Sequence, residues 1–388
     1  MIRERLDGIR NAAIRGGEID LSPLYETPIG RLLSGMRETP QDARYHAEGD
    51  VLRHTVCVLN ELLCSDDYRA ESEEGKTVLF LAALLHDIGK IRCTRVRDGE
   101  ISSKRHSIVG ANMARELLFR EMGLSGDRES QRLREAVCLL IRYHSYPPFC
   151  MSDGDDVRLH RIAANGLLTD AFSLRRLIAL EKADSLGRRG EGVTDMYDRV
   201  KYCEMLAEEL GILDTPYPFT SVHARRAYFK GRMRFRGDTL YKPEPFEVIL
   251  MSGLPGTGKD TYIKDHFPSL PMISLDGIRE RLGISPTEKQ GRVIDAAHEE
   301  ARALLRKRQP FVWNATSITA EIRSRQISLF EDYGASVRCV FLETAWEEEL
   351  RRNRERERNV PEEVILSMLS RLEPPEAYEC EAVEWITV

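Results

Sequence analysis

At 388 residues, 42% hydrophobic and 31% charged, the chain has the composition of an ordinary globular protein and the length of two or three domains, which excludes a disordered or fibrous polymer. A net charge of -6 excludes a uniformly basic nucleic-acid coat, so any nucleic-acid contact must be local. The eight cysteines never approach C-x-x-C spacing, which argues against thiolate zinc and redox pairs. With no apolar N-terminal run and no apolar stretch of about 18 residues, the expectation is a cytoplasmic enzyme with reduced, mostly buried thiols.

From about residue 50 to 212 the pattern is helical. Apolar residues recur at helical spacing over Val51 to Leu63, Val78 to Leu85, Ala111 to Phe119, Leu133 to Ile141 and Leu174 to Ala183, with no convincing strand between them. This predicts an all-α half. A connecting stretch, 214–245, is basic over His223 to Lys242, where Arg225, Arg226, Lys230, Arg232, Arg234, Arg236 and Lys242 face one acid, Asp238. Tyr228, Phe229 and Phe235 are interleaved with them, a mixture suited to a phosphate backbone and stacked bases, and equally to a solvated charged face. Short β-runs then alternate with helices: Phe246 to Met251, Met272 to Leu275, Phe311 to Trp313 and Ser336 to Leu342, which predicts a parallel sheet covered by helices. The expected domains are therefore 1–245 and 246–388.

In the first half, His54, His86, Asp87, His106, His144 and Asp184 sit on or beside predicted helices, tens of residues apart. Only a helical bundle could assemble them, and imidazole with carboxylate suits one or two divalent metals, with Asp87 placed to bridge. A single histidine in an apolar helix is usually a packed core residue, but two ionisable groups directly after the apolar run Leu84-Leu85 are hard to explain structurally. Lys90 and Arg188 lie about a turn from these ligands, where they could hold a scissile phosphate. His46, eight residues before His54, is a rival or outer ligand. Lys182-Ala183-Asp184-Ser185 departs from the nucleotidyl-transferase K-x-D-G motif at Ser185, so a ligase is set aside.

In the second half a strand runs into Gly253-Leu-Pro255-Gly256-Thr257-Gly258-Lys259-Asp260-Thr261. Gly253, Gly256 and Gly258 let backbone N–H groups turn onto phosphate oxygens, and Lys259 neutralises the β and γ phosphates of a nucleoside triphosphate. Asp260 stands where this loop pattern has a Ser or Thr ligand for Mg²⁺, and a carboxylate can fill that place directly or through water. Asp276, at the next strand end, is a candidate base for an attacking hydroxyl, and Arg279 a candidate grip on an acceptor phosphate. The bland reading of Asp276 is a helix N-cap. Arg352 and Arg356, in the run Arg351 to Arg358, would share one face of a lid helix. Asn314, ending another strand, would orient substrate or nucleotide and speaks against a motor-type ATPase.

The pattern E-G-D-V-x-x-H-T, H-D-I-G-K, H-S-x-x-G-A, a later His and D-x-x-x-R resembles the HD phosphohydrolase superfamily. The motifs G-x-P-G-x-G-K, D-x-x-R and R-N-x-x-R resemble polynucleotide 5′-kinases, and their order, with S-V-H-A-R-R-A-Y-F between, is similar to bacterial HD-polynucleotide kinase end-healing enzymes over residues 45 to 388. That resemblance implies a helical HD bundle followed by a P-loop NTPase sheet. It implies NTP and Mg²⁺ in the kinase half, and Mn, Ni, Co or Zn in the HD half. The implied substrates are RNA or DNA ends bearing a 5′-OH and a 2′,3′-cyclic or 2′-phosphate, repaired for a separate ligase. Two other readings stay open on the residues alone: a small-molecule kinase joined to a nucleotidase, and a nucleotide-gated binding module.

Overall fold

The computed structural model describes residues 2–152, 154–240, 246–285, 288–356 and 359–388; Lys242, the expected boundary at 245 and Arg358 lie outside them. The chain forms two compact units, Met1–Ser125 with Glu129–Tyr217, and Gly126–Arg128 with Pro218–Val388.

The first unit is built on α1 (Val51–Cys64), α2 (Glu73–Leu85), α3 (His106–Glu116), α4 (Arg128–Tyr143) and α5 (Leu174–Gly187). Polar side chains mark where several of them start. The Asp50 carboxylate accepts from the Arg53 N–H to cap α1, Ser72 caps α2 through Gly75, and Ser173 caps α5 through Arg176. The central helix is α2, in which every residue from Thr77 to Leu85 is buried, and both α1 and α5 pack on it. Such all-round burial explains why its apolar pattern has little amphipathic contrast.

The expectation of a strand-free half needs correction. Arg95–Arg97 pairs with Glu100–Ser102 as an antiparallel hairpin turned at Asp98-Gly99, whose φ values are +52° and +82°. Two successive positive φ angles are the signature of the tight turn that Asp-Gly favours.

The second unit begins with α6 (Val222–Phe229) and holds β1 (Glu247–Ser252), α7 (Lys259–His266), β2 (Met272–Ser274), α8 (Leu275–Leu282), α9 (Gly291–Arg306), β3 (Phe311–Asn314), α10 (Ala320–Asp332), β4 (Ser336–Glu343), α11 (Trp346–Glu355), α12 (Glu362–Leu369) and β5 (Ala382–Thr387). The five strands are parallel in the order β2-β3-β1-β4-β5. β1 is central and buried on both faces. Val248 and Leu250 enter one core with Trp313 and Phe330, while Ile249 and Met251 enter the other with Val312 and Val340. Ser252, Ser274, Asn314 and Glu343 thus end their strands at one edge, where parallel sheets gather ligands.

From Pro218 to Leu240 the basic connecting stretch belongs to this unit. Arg226 pairs with Glu331 at 2.7 Å and donates to the Tyr378 carbonyl at 2.6 Å, and Lys230 pairs with the same Glu331 at 2.8 Å. Tyr228 and Phe229 are buried, so they cannot stack bases as the sequence suggested; Arg232, Arg234 and Phe235 remain exposed.

Candidate active sites

In the first unit, α1, α2, α3, α4 and α5 bring all six expected ligands together. His54 Nε2 is 2.8 Å from Asp184 Oδ1 and 3.8 Å from Asp87 Oδ2, and His86 Nε2 is 3.3 Å from that same Asp87 oxygen. The other Asp87 oxygen, Oδ1, is 3.4 Å from His106 Nε2 and 3.9 Å from His144 Nε2. One carboxylate therefore faces two histidine groups. Close packing makes this possible: a Cβ on Gly89 would lie 2.0 Å from the His106 carbonyl oxygen and 2.6 Å from the Gly110 nitrogen, so the turn carrying His86 and Asp87 can touch α3 only with glycine there.

The histidines are oriented as metal ligands would be. Nδ1 of His86, His106 and His144 donates to the carbonyl of the residue three positions earlier, Ala83, Ser103 and Ile141, at 2.8, 2.9 and 2.7 Å. That fixes the tautomer with Nε2 turned to the centre, as outer hydrogen bonds do for metal-bound histidine. His54 follows the same logic with a carboxylate: its Nδ1 is 2.8 Å from Glu48 Oε1, which also contacts His46 Nδ1 at 2.9 Å. His46 thus stands behind His54 rather than in its place. Glu48 was missed as a functional residue, although it opens the E-G-D run that leads into α1.

His86 Nε2 and Asp87 Oδ1 are buried without a hydrogen-bond partner, an arrangement that costs energy unless something binds between them. Three overlapping groups, His46-Glu48-His54, His54-His86-Asp87 and Asp87-His106-His144, have ligand atoms within 4.8 Å of one another. The last two suit a divalent metal each, with Asp87 shared. Burial would keep the His86 imidazole neutral, but Asp87 and Asp184 outweigh it and push its pKa up to about 10. A bound cation would displace that proton. His144 goes the other way: burial, then His106 and His86, hold it down to about 3. Lys90 sits 2.6 Å from Asp87 Oδ2, and Arg188 donates to Asp184 Oδ2 at 2.7 Å, so two cations line the same centre.

In the second unit Gly253, Gly256 and Gly258 have φ of +142°, +90° and +86°, the backbone that turns N–H groups inward. Pro255 and Thr257 are buried, and Thr257 Oγ1 donates to the Leu254 carbonyl at 2.9 Å. Lys259 Nζ folds back onto the carbonyls of Gly253 and Leu254 at 3.0 and 2.6 Å, and burial lowers its pKa to about 8. Asp260 Oδ1 accepts from Asn314 Nδ2 at 2.6 Å, tying the proposed metal ligand to the next strand end; Thr261 is exposed. Asp276 is not the N-cap of α8: Ser274 is, through the Gly277 N–H, which leaves the Asp276 carboxylate to accept from Arg279. Arg279 Nε also donates to Gln290 Oε1 at 2.7 Å.

The lid expectation needs correction. α11 ends at Glu355 and Arg356 is already extended, with φ -73° and ψ +142°, so Arg352 and Arg356 do not share a helical face. The Asn353 amide ends it, donating to the Val360 carbonyl at 2.7 Å and accepting from the Val360 N–H at 3.0 Å. Both arginines remain at the loop. A Cβ on Gly258 would lie 3.3 Å from an Arg352 guanidinium nitrogen, and Arg356 acts electrostatically on Lys259. Glu349 was also missed: fully buried, without a hydrogen-bond partner, its Cγ 3.4 Å from where a Gly256 Cβ would stand.

Residues 51–186 match the HD domain family model, and residues 248–375 match that of an AAA domain. The HD match runs from the first turn of α1 to the end of α5 and takes in all six expected ligands. The AAA match runs from β1 past α12 and takes in the P-loop, Asp276, Arg279 and Arg352. A helical bundle similar to HD domains is thus followed by a five-stranded parallel sheet of the P-loop NTPase type. Among the described residues no helix is long and apolar enough to cross a membrane.

Proposed function

We propose that the chain heals nucleic-acid ends: its P-loop domain phosphorylates 5′-hydroxyls with a nucleoside triphosphate and Mg²⁺, and its HD domain removes 2′,3′-cyclic or 2′-phosphates. The observation that carries this reading is the Asp276–Arg279 pair at the start of α8, directly after β2 and at the strand edge that holds Lys259. It couples a base for an attacking hydroxyl to a cation for an acceptor phosphate. Asp276 takes the proton of the 5′-hydroxyl as its oxygen bonds the γ-phosphorus, and the bond to the bridging oxygen breaks to release the diphosphate. Lys259, Arg352 and Arg356 offset the charge that develops. Asp260, held by Asn314, is the proposed Mg²⁺ ligand.

In the HD domain, His54, His86, Asp87, His106, His144 and Asp184 would hold one or two divalent metals such as Mn, Ni, Co or Zn. Metal at such a site supplies an acidified water and neutralises phosphate charge. Lys90 and Arg188 would turn from Asp87 and Asp184 to hold the phosphate oxygens, and Glu48 would keep His54 Nε2 aimed inward.

The test is incubation with an oligonucleotide bearing a 5′-OH and a 2′,3′-cyclic phosphate, with ATP and a panel of metals, followed by analysis of both ends. Phosphorylation and phosphate removal on the strand support the reading. Action on mononucleotides alone would replace it with a small-molecule kinase joined to a nucleotidase.

A further inference from the structure

Between Lys90 and His106, two residues of the HD centre, the chain leaves the helical bundle as the hairpin Arg95–Ser102. Its base is closed by the Thr94 and Ser103 hydroxyls at 2.8 Å. Its strands are exposed, with Val96 59% accessible, so the hairpin buries little and is not explained by packing. Its charge is one-sided: Arg92, Arg95, Arg97, Lys104 and Arg105 stand against Asp98 and Glu100. Among the described residues, none of these five cations has a carboxylate within ion-pair distance, although most arginines of this domain do; Arg95 donates only to the carbonyls of Arg92 and Thr94.

Two further observations point to a ligand. Arg105, immediately before His106, has φ +65°, a left-handed conformation that a non-glycine residue adopts at a cost and that clusters at functional sites. Beside the hairpin's foot, Arg92 lines an open cavity of about 260 Å³ with Arg31, Leu32, Met113, Glu116 and Arg120. Arg31 pairs with Glu121 and Arg120 with Glu116 and Glu121, so that Arg92 is the cation of this hollow left for a ligand among the described residues. The guanidinium groups without a carboxylate, Arg92, Arg95, Arg97 and Arg105, match the spaced charges of a phosphate backbone, to which they bind in a fork geometry.

We propose that this hairpin, with Arg92 and Arg105 at its feet, is a flap that holds the phosphate backbone of a single strand and feeds its 3′ end to the HD centre. The inference rests on the phosphohydrolase reading and makes a polynucleotide, rather than a mononucleotide, that domain's substrate.

The test compares wild type with Arg95→Ala/Arg97→Ala/Arg105→Gly, in which glycine suits the positive φ. Each metal-loaded protein is given a short strand ending in a 2′,3′-cyclic phosphate and, separately, a mononucleoside 2′,3′-cyclic phosphate, over a range of salt. The expected result is a KM for the strand raised about tenfold or more, with unchanged kcat/KM for the mononucleotide. The log–log salt slope for the strand should become shallower by about 0.7 for each phosphate that the variant no longer neutralises. Equal losses on both substrates, or an unchanged strand KM and slope, would overturn the flap. Should wild type hydrolyse neither substrate, the phosphohydrolase reading fails instead; fluorescence anisotropy of the labelled strand then decides the flap, which is refuted if wild type and variant bind it alike.

Discussion

The side-chain amide of Asn314 donates to Asp260 Oδ1 at 2.6 Å, joining the end of β3 to the first turn of α7 beside the P-loop lysine. One oxygen of Asp260 is thereby used, and the other is left for a cation. Asp260→Ser keeps an oxygen ligand but loses its charge and the Asn314 tie, so kinase activity should persist with a higher Mg²⁺ requirement. Asn314→Ala should move the Mg²⁺ curve the same way. Superimposable Mg²⁺ titrations for wild type and both variants would remove Asp260 from the metal site.

Gly256 has φ +90°, and a Cβ there would come within 2.8 Å of the Glu349 carbonyl oxygen. Gly256→Ala therefore combines backbone strain of about 1–3 kcal/mol with a collision against α11. Triphosphate affinity and 5′ phosphorylation should both fall, since α11 also carries Arg352. Phosphate removal by the HD domain should be unchanged, and a variant that phosphorylates normally would show that α11 can retreat from the loop.

Glu349 makes a prediction about pH. Burial pushes its carboxyl up to about 8, against the opposing pull of Lys259, while in the unfolded chain it titrates in the ordinary carboxylate range. The folded state then holds the proton that the unfolded state has lost, so this contribution is complete below about pH 4 and is lost as pH rises through about 8. Glu349→Gln removes the ionisation and keeps the shape. Thermal unfolding of the full chain should show the variant gaining on wild type from pH 5 to 8, by up to a few kcal/mol. A constant difference across that window would mean that Glu349 is not protonated on folding.

How much of this was legible depends on how far each residue's role is local. The P-loop could be read because its chemistry lies in consecutive residues after an apolar strand, and the cluster of His54, His86, Asp87, His106, His144 and Asp184 because ionisable groups interrupting apolar helices have few structural uses. Glu48 and Glu349 escaped for the opposite reason. Glu48 acts through His54, and Glu349, third in the acidic run Glu347-Glu348-Glu349, looks like a solvated helix start until the fold turns it inward. Tyr228 and Phe229 read as a stacking surface because the acid that pairs with neighbouring Arg226 lies far along the chain at Glu331. The hairpin was hidden by its own shortness. Its strands are three residues each and carry one apolar residue apiece, Val96 and Ile101, too short a run for alternation to mark them.

The change of texture near residue 245 and the division of the units at Tyr217/Pro218 predict different fragments. A fragment starting at 246 lacks α6 and strands Glu331, which otherwise pairs with Arg226 and Lys230. Leaving a mostly buried carboxylate unpaired costs about 3–5 kcal/mol at the buried extreme. The fragment 218–388 should therefore have a higher unfolding midpoint in urea than 246–388. Equal midpoints would mean that α6 contributes nothing to this domain's stability.

The most consequential prediction concerns independence of the two sites. His86 and Asp87 present their inward atoms to one centre in the HD domain, so His86→Ala or Asp87→Ala should abolish phosphate removal by losing the metal that activates water. A readout besides activity is available: these variants should lose the rise in thermal stability that wild type shows on adding Mn²⁺ or Ni²⁺. Their 5′ phosphorylation should remain near wild type, because no group in the HD centre takes part in the chemistry assigned to the P-loop. Lys259→Ala should do the reverse, since Lys259 neutralises charge only on the bound triphosphate. Burial of its amine already lowers its pKa to about 8, so wild-type triphosphate affinity should also weaken as pH rises above 8, while metal-dependent hydrolysis keeps its own pH profile. If Lys259→Ala, folded and metal-loaded, also lost phosphate removal, the two activities would have to share one composite site, and the division of labour argued from Asp87 and Lys259 would be wrong.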